Sequence, residues 1–410
     1  MINLKFQDYC NQKYTYTGTF KEGLARVKNQ QGLWGYINKK GIEVIPCQFE
    51  NAQDFSEGLA IIRNKEGLAG YIDKNGQIVI ECQYIDAYDF HEGIAAVRIG
   101  EKQWKYINQV GEYIIDKTFE QADNFSEGYA IVKTAYSPLW TYIDSTGKTY
   151  GQYKYANRFS EGLAIVGSNS AIEVINKSFE VIKRIERYNL SIPEEYSDGL
   201  ALATQDGIFY GYLDKDLNKR IPFMFAKAQK FRDGVATVKL SPYFLGIINE
   251  EGKILTFYQY SSIKSFSEGL SAIKNDKKLW GYINKEGEEI IPCQYKEADD
   301  FSEGLAAVID TNGIFHYIDK HGNKKITIGD IHYSMLELDD KTIYIVADGE
   351  EELKTKKLQV LEVAKQEIVE KTINTIDQLA YDTTAGLYPQ SKSKVKKPPR
   401  QKPVVGIQSE

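Results

Sequence analysis

The chain has 410 residues, 42% of them hydrophobic, with 29 Tyr, 18 Phe and 4 Trp against only 3 Met and a formal net charge of −6. The charge is uneven: from Pro389 onward, six cations against Glu410 give +5 and leave −11 on the rest. An acidic body argues against a nucleic-acid surface there and leaves only the basic tail for such a contact, since duplex affinity rests largely on cationic contacts to phosphate. Aromatic richness with frequent turn residues favours strands over helices.

The first residues, Met1-Ile2-Asn3-Leu4-Lys5-Phe6, lack a basic stretch followed by an apolar one, and no run of 18 apolar residues exists. The expectation is a cytoplasmic protein without a membrane span. Residues 1–19 read as the end of a repeat unit, because Cys10-Asn11-Gln12-Lys13-Tyr14 matches the C-Q-Y that precedes F-S-E-G further on.

From Phe20 a landmark F/Y-x-E/D-G recurs, with Gly at 23, 58, 93, 128, 162, 199, 234, 269 and 304, at intervals of 34 to 37 residues. Nine copies thus start near 20, 55, 90, 125, 159, 196, 231, 266 and 301, and such a period signals stacked units that cannot bury a core alone. Each copy holds three strand patterns, such as Leu59-Ala60-Ile61-Ile62, then Trp34 to Asn38, then Glu43 to Pro46. A short fourth strand is expected at Gln-Tyr/Phe-x-x-Ala. Strands with bulk on both faces need cover on both sides, which a propeller or an open stacked spiral supplies. The pattern predicts an all-β propeller-like array over residues 1–348, with an open solenoid as the alternative.

The turn before the third strand is specified by Asn or Asp, as at Asn38, Asp73 and Asn284, with Gly three residues on, as at Gly41, Gly76 and Gly287. This is type I turn chemistry, with Gly at positive φ. Asn176 and Asp214 lack that Gly, so copies 5 and 6 are expected to deviate, as the insertion Arg187 to Glu195 also suggests.

These residues closely resemble the bacterial WG-repeat family, also called KWG repeats, over roughly residues 10–328. F-S-E-G-L-A, W-G-Y-I-N/D, K-x-G and I-P-C-Q-Y carry the resemblance together. Ala69, Tyr210, Leu245 and Phe315 depart from it at the Trp position, and copy 5 is eroded at Ile172-Glu173-Val174-Ile175-Asn176. The resemblance implies a β-rich repeat array and no generally established activity. The residues taken to define the repeat structurally are Trp34, Tyr36, Gly41, Gly58, Tyr71, Gly76, Trp104, Trp140, Gly269, Trp280, Tyr282, Gly287 and Gly304.

Beyond the array, Ile331 to Leu338 and Thr342 to Ala347 read as strands. Residues 349–384 read as an amphipathic helix, with Leu358, Leu361, Ile368, Val369, Ile373, Ile376 and Ala380 on one face, which docks on the array or recruits a partner. Residues 385–410 read as a disordered basic tail.

No catalytic, cofactor or metal site is expected. The landmark acids Glu22, Glu57, Glu92, Glu127, Glu161, Asp198, Asp233, Glu268 and Glu303 read as acceptors of backbone N–H bonds, since catalysis needs one asymmetric constellation. His91, His316, His321 and His332 show no ligand spacing, and His316 and His321 are expected to be exposed. Cys47, Cys82 and Cys293 share one slot and read as small buried side chains. The expected function is a non-catalytic scaffold binding an unknown protein partner through the array surface. The alternative is a carbohydrate or cell-envelope module using hairpin aromatics.

Overall fold

The computed structural model describes residues 6–135, 137–241, 244–258, 260–328, 330–338, 341–347, 355–356 and 359. Every 35-residue unit folds as a small antiparallel meander, and nine of these form a β-propeller. The second blade shows the plan: Asn51–Ala52, Leu59–Arg63, Ala69–Asp73 and Ile78–Tyr84 pair in that order. Seven blades have four strands. In blade 3 the fourth strand is reduced to the bridges Trp104↔Phe119 and Ile107↔Tyr113, and in blade 6 the first is reduced to Leu190↔Gln205.

Alternation along the strands places each core between blades. Ala60 and Ile62 pack with Tyr36 and Ile45 of the preceding blade, while Leu59 and Ile61 pack with Phe90 and Val97 of the following one. Successive side chains of a strand point to opposite faces, so one strand serves two cores. Among the described residues there are nine such clusters, one at every junction.

The ninth junction closes the ring. Tyr14, Phe20, Ala25, Val27 and Ile37 of blade 1 cluster with Ala307, Tyr317 and Ile326 of blade 9. The open spiral is therefore not the architecture. The mode of closure differs from a simple reading of residues 1–19 as the end of a unit. Tyr14–Thr17 is the first strand of blade 1, and blade 9 has its own fourth strand, Lys324–Thr327. Closure is face packing rather than strand exchange. The array is also shorter than residues 1–348: Phe6–Gln12, Asp330–Leu338 and Lys341–Ala347 make a separate three-stranded sheet, in which the last two pair antiparallel from Leu338↔Lys341 to His332↔Ala347. The chain divides accordingly into Cys10–Ile331 and a second unit of Met1–Tyr9 with His332–Glu410. Apart from the helical residues 355, 356 and 359, the expected C-terminal helix and the basic tail lie outside the described residues.

The turn before each fourth strand is built as its residues demand. The Asn38 carboxamide oxygen accepts from the N–H groups of Lys40 and Ile42, at 2.9 and 3.1 Å, and Gly41 sits at φ 78°. Copies 5 and 6 keep this turn instead of deviating: Phe179 and Leu217 occupy the glycine position at φ 62° and 57°. Packing offsets the strain that a side chain suffers there. Phe179 stacks on Tyr150 at 4.6 Å, and Leu217 is buried.

Gly287 likewise sits at positive φ, 85°. Gly287→Val is expected to lower the melting temperature well beyond Glu286→Val, because a β-branched residue tolerates positive φ badly. Equal melting temperatures by circular dichroism would contradict this assignment.

Candidate interaction surface

The landmark F-x-E-G forms a two-residue hairpin turn with both central residues in the left-handed region. Glu57 lies at φ 51° and Gly58 at 85°, and Ser56 and Leu59 exchange backbone hydrogen bonds at 2.9 and 3.2 Å. This is type I′ geometry, which normally selects Asn-Gly or Asp-Gly. All nine acids take φ between 51° and 57°. Each then accepts from the N–H of the next blade's landmark glycine, at 2.8–3.1 Å. The acids are indeed N–H acceptors, but the bond crosses to the neighbouring blade, and Glu303 to Gly23 completes the circle.

Lysines one residue into the later turn reinforce the latch. Lys39 reaches Glu303 at 3.0 Å, Lys74 reaches Glu22 at 2.9 Å and Lys320 reaches Glu268 at 3.1 Å. At Glu303 partial burial opposes ionisation. The Lys39 ammonium and the Gly23 N–H outweigh it and hold the carboxyl below its ordinary 4.5. The same balance lowers Glu22 and Glu161.

The tyrosine of W-G-Y-I, two residues beyond the Trp slot, wedges into seven of the nine junctions. Tyr36, Tyr71 and Tyr282 are fully buried and meet Phe55, Phe90 and Phe301 of the next blade at 4.8–4.9 Å between ring centres. Their hydroxyls donate to next-blade carbonyls, those of Gln53, Tyr88 and Asp299, at 2.7–2.8 Å. Burial pushes all three phenols far above their usual range, so they stay protonated donors. At closure, Tyr317 meets Phe20 at 4.6 Å and donates to Gly18. The landmark serines add another link; Ser302 donates to the Phe20 carbonyl at 2.7 Å.

The tryptophans play a different part. Trp34, Trp140 and Trp280 are only half-buried, and Trp104 is the buried exception. A cation from the preceding strand covers each: Lys28 lies 5.3 Å from the Trp34 ring, Arg98 5.9 Å from Trp104, Lys133 4.4 Å from Trp140 and Lys274 5.2 Å from Trp280. Gly41, Gly58, Gly76, Gly269, Gly287 and Gly304 all sit at positive φ in the two turn types.

The remaining candidates are scattered. Cys47, Cys82 and Cys293 are free and half-buried. Burial, aided by the Glu43 carboxylate, pushes the Cys47 thiol up to about 12, and burial likewise raises Cys293 to about 11, so neither is a nucleophile near neutrality. His316 is buried rather than exposed. Its ring lies 3.1 Å from Asp310 and 3.2 Å from Thr327, because the Gly slot of blade 9 carries a side chain and nearby polar groups satisfy it. His321 is exposed in its turn, as expected. Among the described residues no cluster of His, Cys, Asp and Glu could hold a metal ion, and no helix is long and apolar enough to cross a membrane.

Among the described residues, the last strand of each blade is hydrogen-bonded to a neighbouring strand on one side only. On blades 1 to 3 this edge and its turns expose Ile42, Val44, Ile78, Val79, Val110 and Tyr113. Nothing in the period signals these residues, because the pattern constrains only the buried isoleucine beside them.

A sequence model of the family described as "WG containing repeat" matches residues 34–68, 70–102, 104–135, 140–170, 210–241, 246–278 and 280–313, together more than half of the chain. The chain belongs to the WG-repeat family. Each WG match begins at the Trp strand, so it spans a junction and contains both halves of the Tyr–Phe wedge where both residues are present. No curated protein matches the chain. Among solved structures, a "eukaryotic initiation factor" superposes with a TM-score of 0.54 at 8% identity, over 75% of this chain and 96% of that one. BamB from Moraxella catarrhalis matches at 11% identity and a TM-score of 0.35, over 72% and 95%. At 8% identity the likeness to the initiation factor is one of fold.

Two outcomes are expected. Tyr282→Ala should cost about 3–5 kcal/mol, as for other large buried aromatics, and Trp280→Ala only about 1–2 kcal/mol, since it loses partial burial and the two cation–π contacts with Lys264 and Lys274. Chemical denaturation of both variants checks the order. Because the Glu22, Glu161 and Glu303 carboxyls titrate lower in the folded ring than in the open chain, their stabilisation is present above about 4.5 and lost as pH falls through the lower folded value. Glu303→Gln should therefore melt below the parent at pH 7, and the gap should narrow as pH falls below about 4.5. A gap that is constant from pH 7 to pH 3 would rule the carboxylate out.

Proposed function

We propose that this WG-repeat propeller is a non-catalytic scaffold that binds a protein partner through its surface. The observation that carries this reading is the row of exposed apolar side chains on successive edge strands of blades 1 to 3. Monomeric proteins seldom expose contiguous apolar patches except at interaction sites, and a rigid ring of repeats offers adjacent edges at fixed spacing. The use of all nine landmark acids as inter-blade latches supports a structural rather than a chemical role for them. A protein partner also fits the acidic body better than nucleic acid does.

The test is a photo-crosslinking residue placed at position 44, 79 or 182 of the full chain, in cells that express it. A discrete protein adduct is expected at 44 and 79 and none at 182 on blade 5, with Val44→Lys and Val79→Lys lowering recovery of that protein at least tenfold. No adduct at 44 or 79, or recovery unchanged in the Lys variants, would overturn the reading.

A further inference from the structure

The ring departs from its period at the junction of blades 5 and 6. The family matches skip residues 171–209, and the insertion Arg187 to Glu195 replaces a regular first strand. The segment still docks on blade 6, with Ser191 donating to the Thr204 carbonyl at 2.9 Å and Asp206 donating from its backbone N–H to Asn189 at 2.8 Å. Between them lies a cleft of about 580 Å³, lined by Arg187, Asn189, Leu190, Ser191, Thr204 and Asp206 among others. That volume is in the range of ligand sites. Blade 4 carries a related hollow of about 470 Å³ beside Glu120, Lys133 and Ser137, but the groups that line the blade 6 cleft, Arg187 and Asn189 above all, come from the insertion and are not repeated there.

Arg187 sets its chemistry. Its Nε donates to the Leu190 carbonyl at 2.8 Å, and the Tyr155 ring lies 5.0 Å from its guanidinium carbon. One edge and one face are therefore occupied, while among the described residues no carboxylate pairs with its two terminal nitrogens. A guanidinium held this way is pre-organised for two parallel N–H···O bonds to a carboxylate. Thr204 and Asn189 add neutral donors, and buried Leu190 adds apolar floor. Tyr188, 82% exposed, lies between two lining residues.

We propose that this cleft binds a peptide carboxylate, with Arg187 as its bidentate partner and Asp206 as the group that limits affinity for acidic ligands. The proposal rests on the protein-scaffold reading and names one of its contacts. The carboxylate comes from an Asp or Glu side chain or from a chain terminus.

Three labelled heptapeptides separate these sources in fluorescence anisotropy with the full chain: one with two internal Asp residues and an amidated end, its Asn counterpart with a free C-terminal carboxylate, and the Asn counterpart amidated. One of the first two should bind and the third should not. Arg187→Gln should weaken binding at least tenfold and Arg187→Lys less, with melting temperature unchanged. Asp206→Asn should tighten it about two- to fivefold, since Asn tolerates the φ of 55° there and removes a like charge. Equal binding of all three peptides, no binding of any, or indifference to Arg187→Gln would overturn the proposal. Loss of the crosslinked adducts at positions 44 and 79 is a separate outcome, so the cleft can fail while the scaffold reading stands.

Discussion

The Tyr–Phe wedge is the contact on which the ring depends. A three- or four-stranded meander of 35 residues is apolar on both faces and cannot be stable alone, because either face left open exposes a row of Val, Ile and Ala. The wedge covers both faces with one rule: a tyrosine from the third strand meets a phenylalanine from the next blade, and its hydroxyl satisfies a carbonyl that the packing would otherwise strand. Applied seven times, with Tyr36, Tyr71, Tyr106, Tyr142, Tyr212, Tyr282 and Tyr317, it sets the spacing of most of the propeller. Blades 5 and 7 substitute Val174 and Ile247, keeping the apolar fill without the hydroxyl.

The landmark turn shows how local strain and long-range bonding support one another. Glutamate is a poor choice for the left-handed region, where Asn or Gly would be relaxed. The strain persists because the same backbone conformation accompanies a carboxylate that reaches the neighbouring glycine N–H. That glycine must itself be at positive φ to complete its own turn. Each turn is thus the acceptor of one junction and the donor of the next, and the circle has no end residue.

Such regularity commits the repeated side chains to holding the ring together. Where every acid, serine and tyrosine of the period is engaged in holding blades together, new function has to come from positions that the period ignores. Two kinds are visible: the solvent-facing side chains of the edge strands, and the junction of blades 5 and 6, where an insertion opened a polar cleft without breaking the ring.

By itself the sequence determined the period, the three principal strands of each unit and the Asn/Asp-to-Gly turn, since alternation and turn chemistry are local properties of a few consecutive residues. The tertiary structure decided what a period cannot encode. A repeat has no intrinsic phase, so a contact inside one unit and a contact with the next look alike; the landmark acids were legible as N–H acceptors but not as bridges to the following blade. Trp280 and Tyr282 lie on one strand face and read alike in sequence, yet only the tyrosine is engulfed, because the tryptophan lies near the blade margin under Lys274. His316 read as a surface residue because its Gly slot has no side chain in other copies, and its burial depends on Asp310 and Thr327 folding over it. Closure was decided last of all. Phe20 and Tyr317 are 297 residues apart, and the meeting of two chain ends depends on the summed rotation of nine blades, which no single unit specifies.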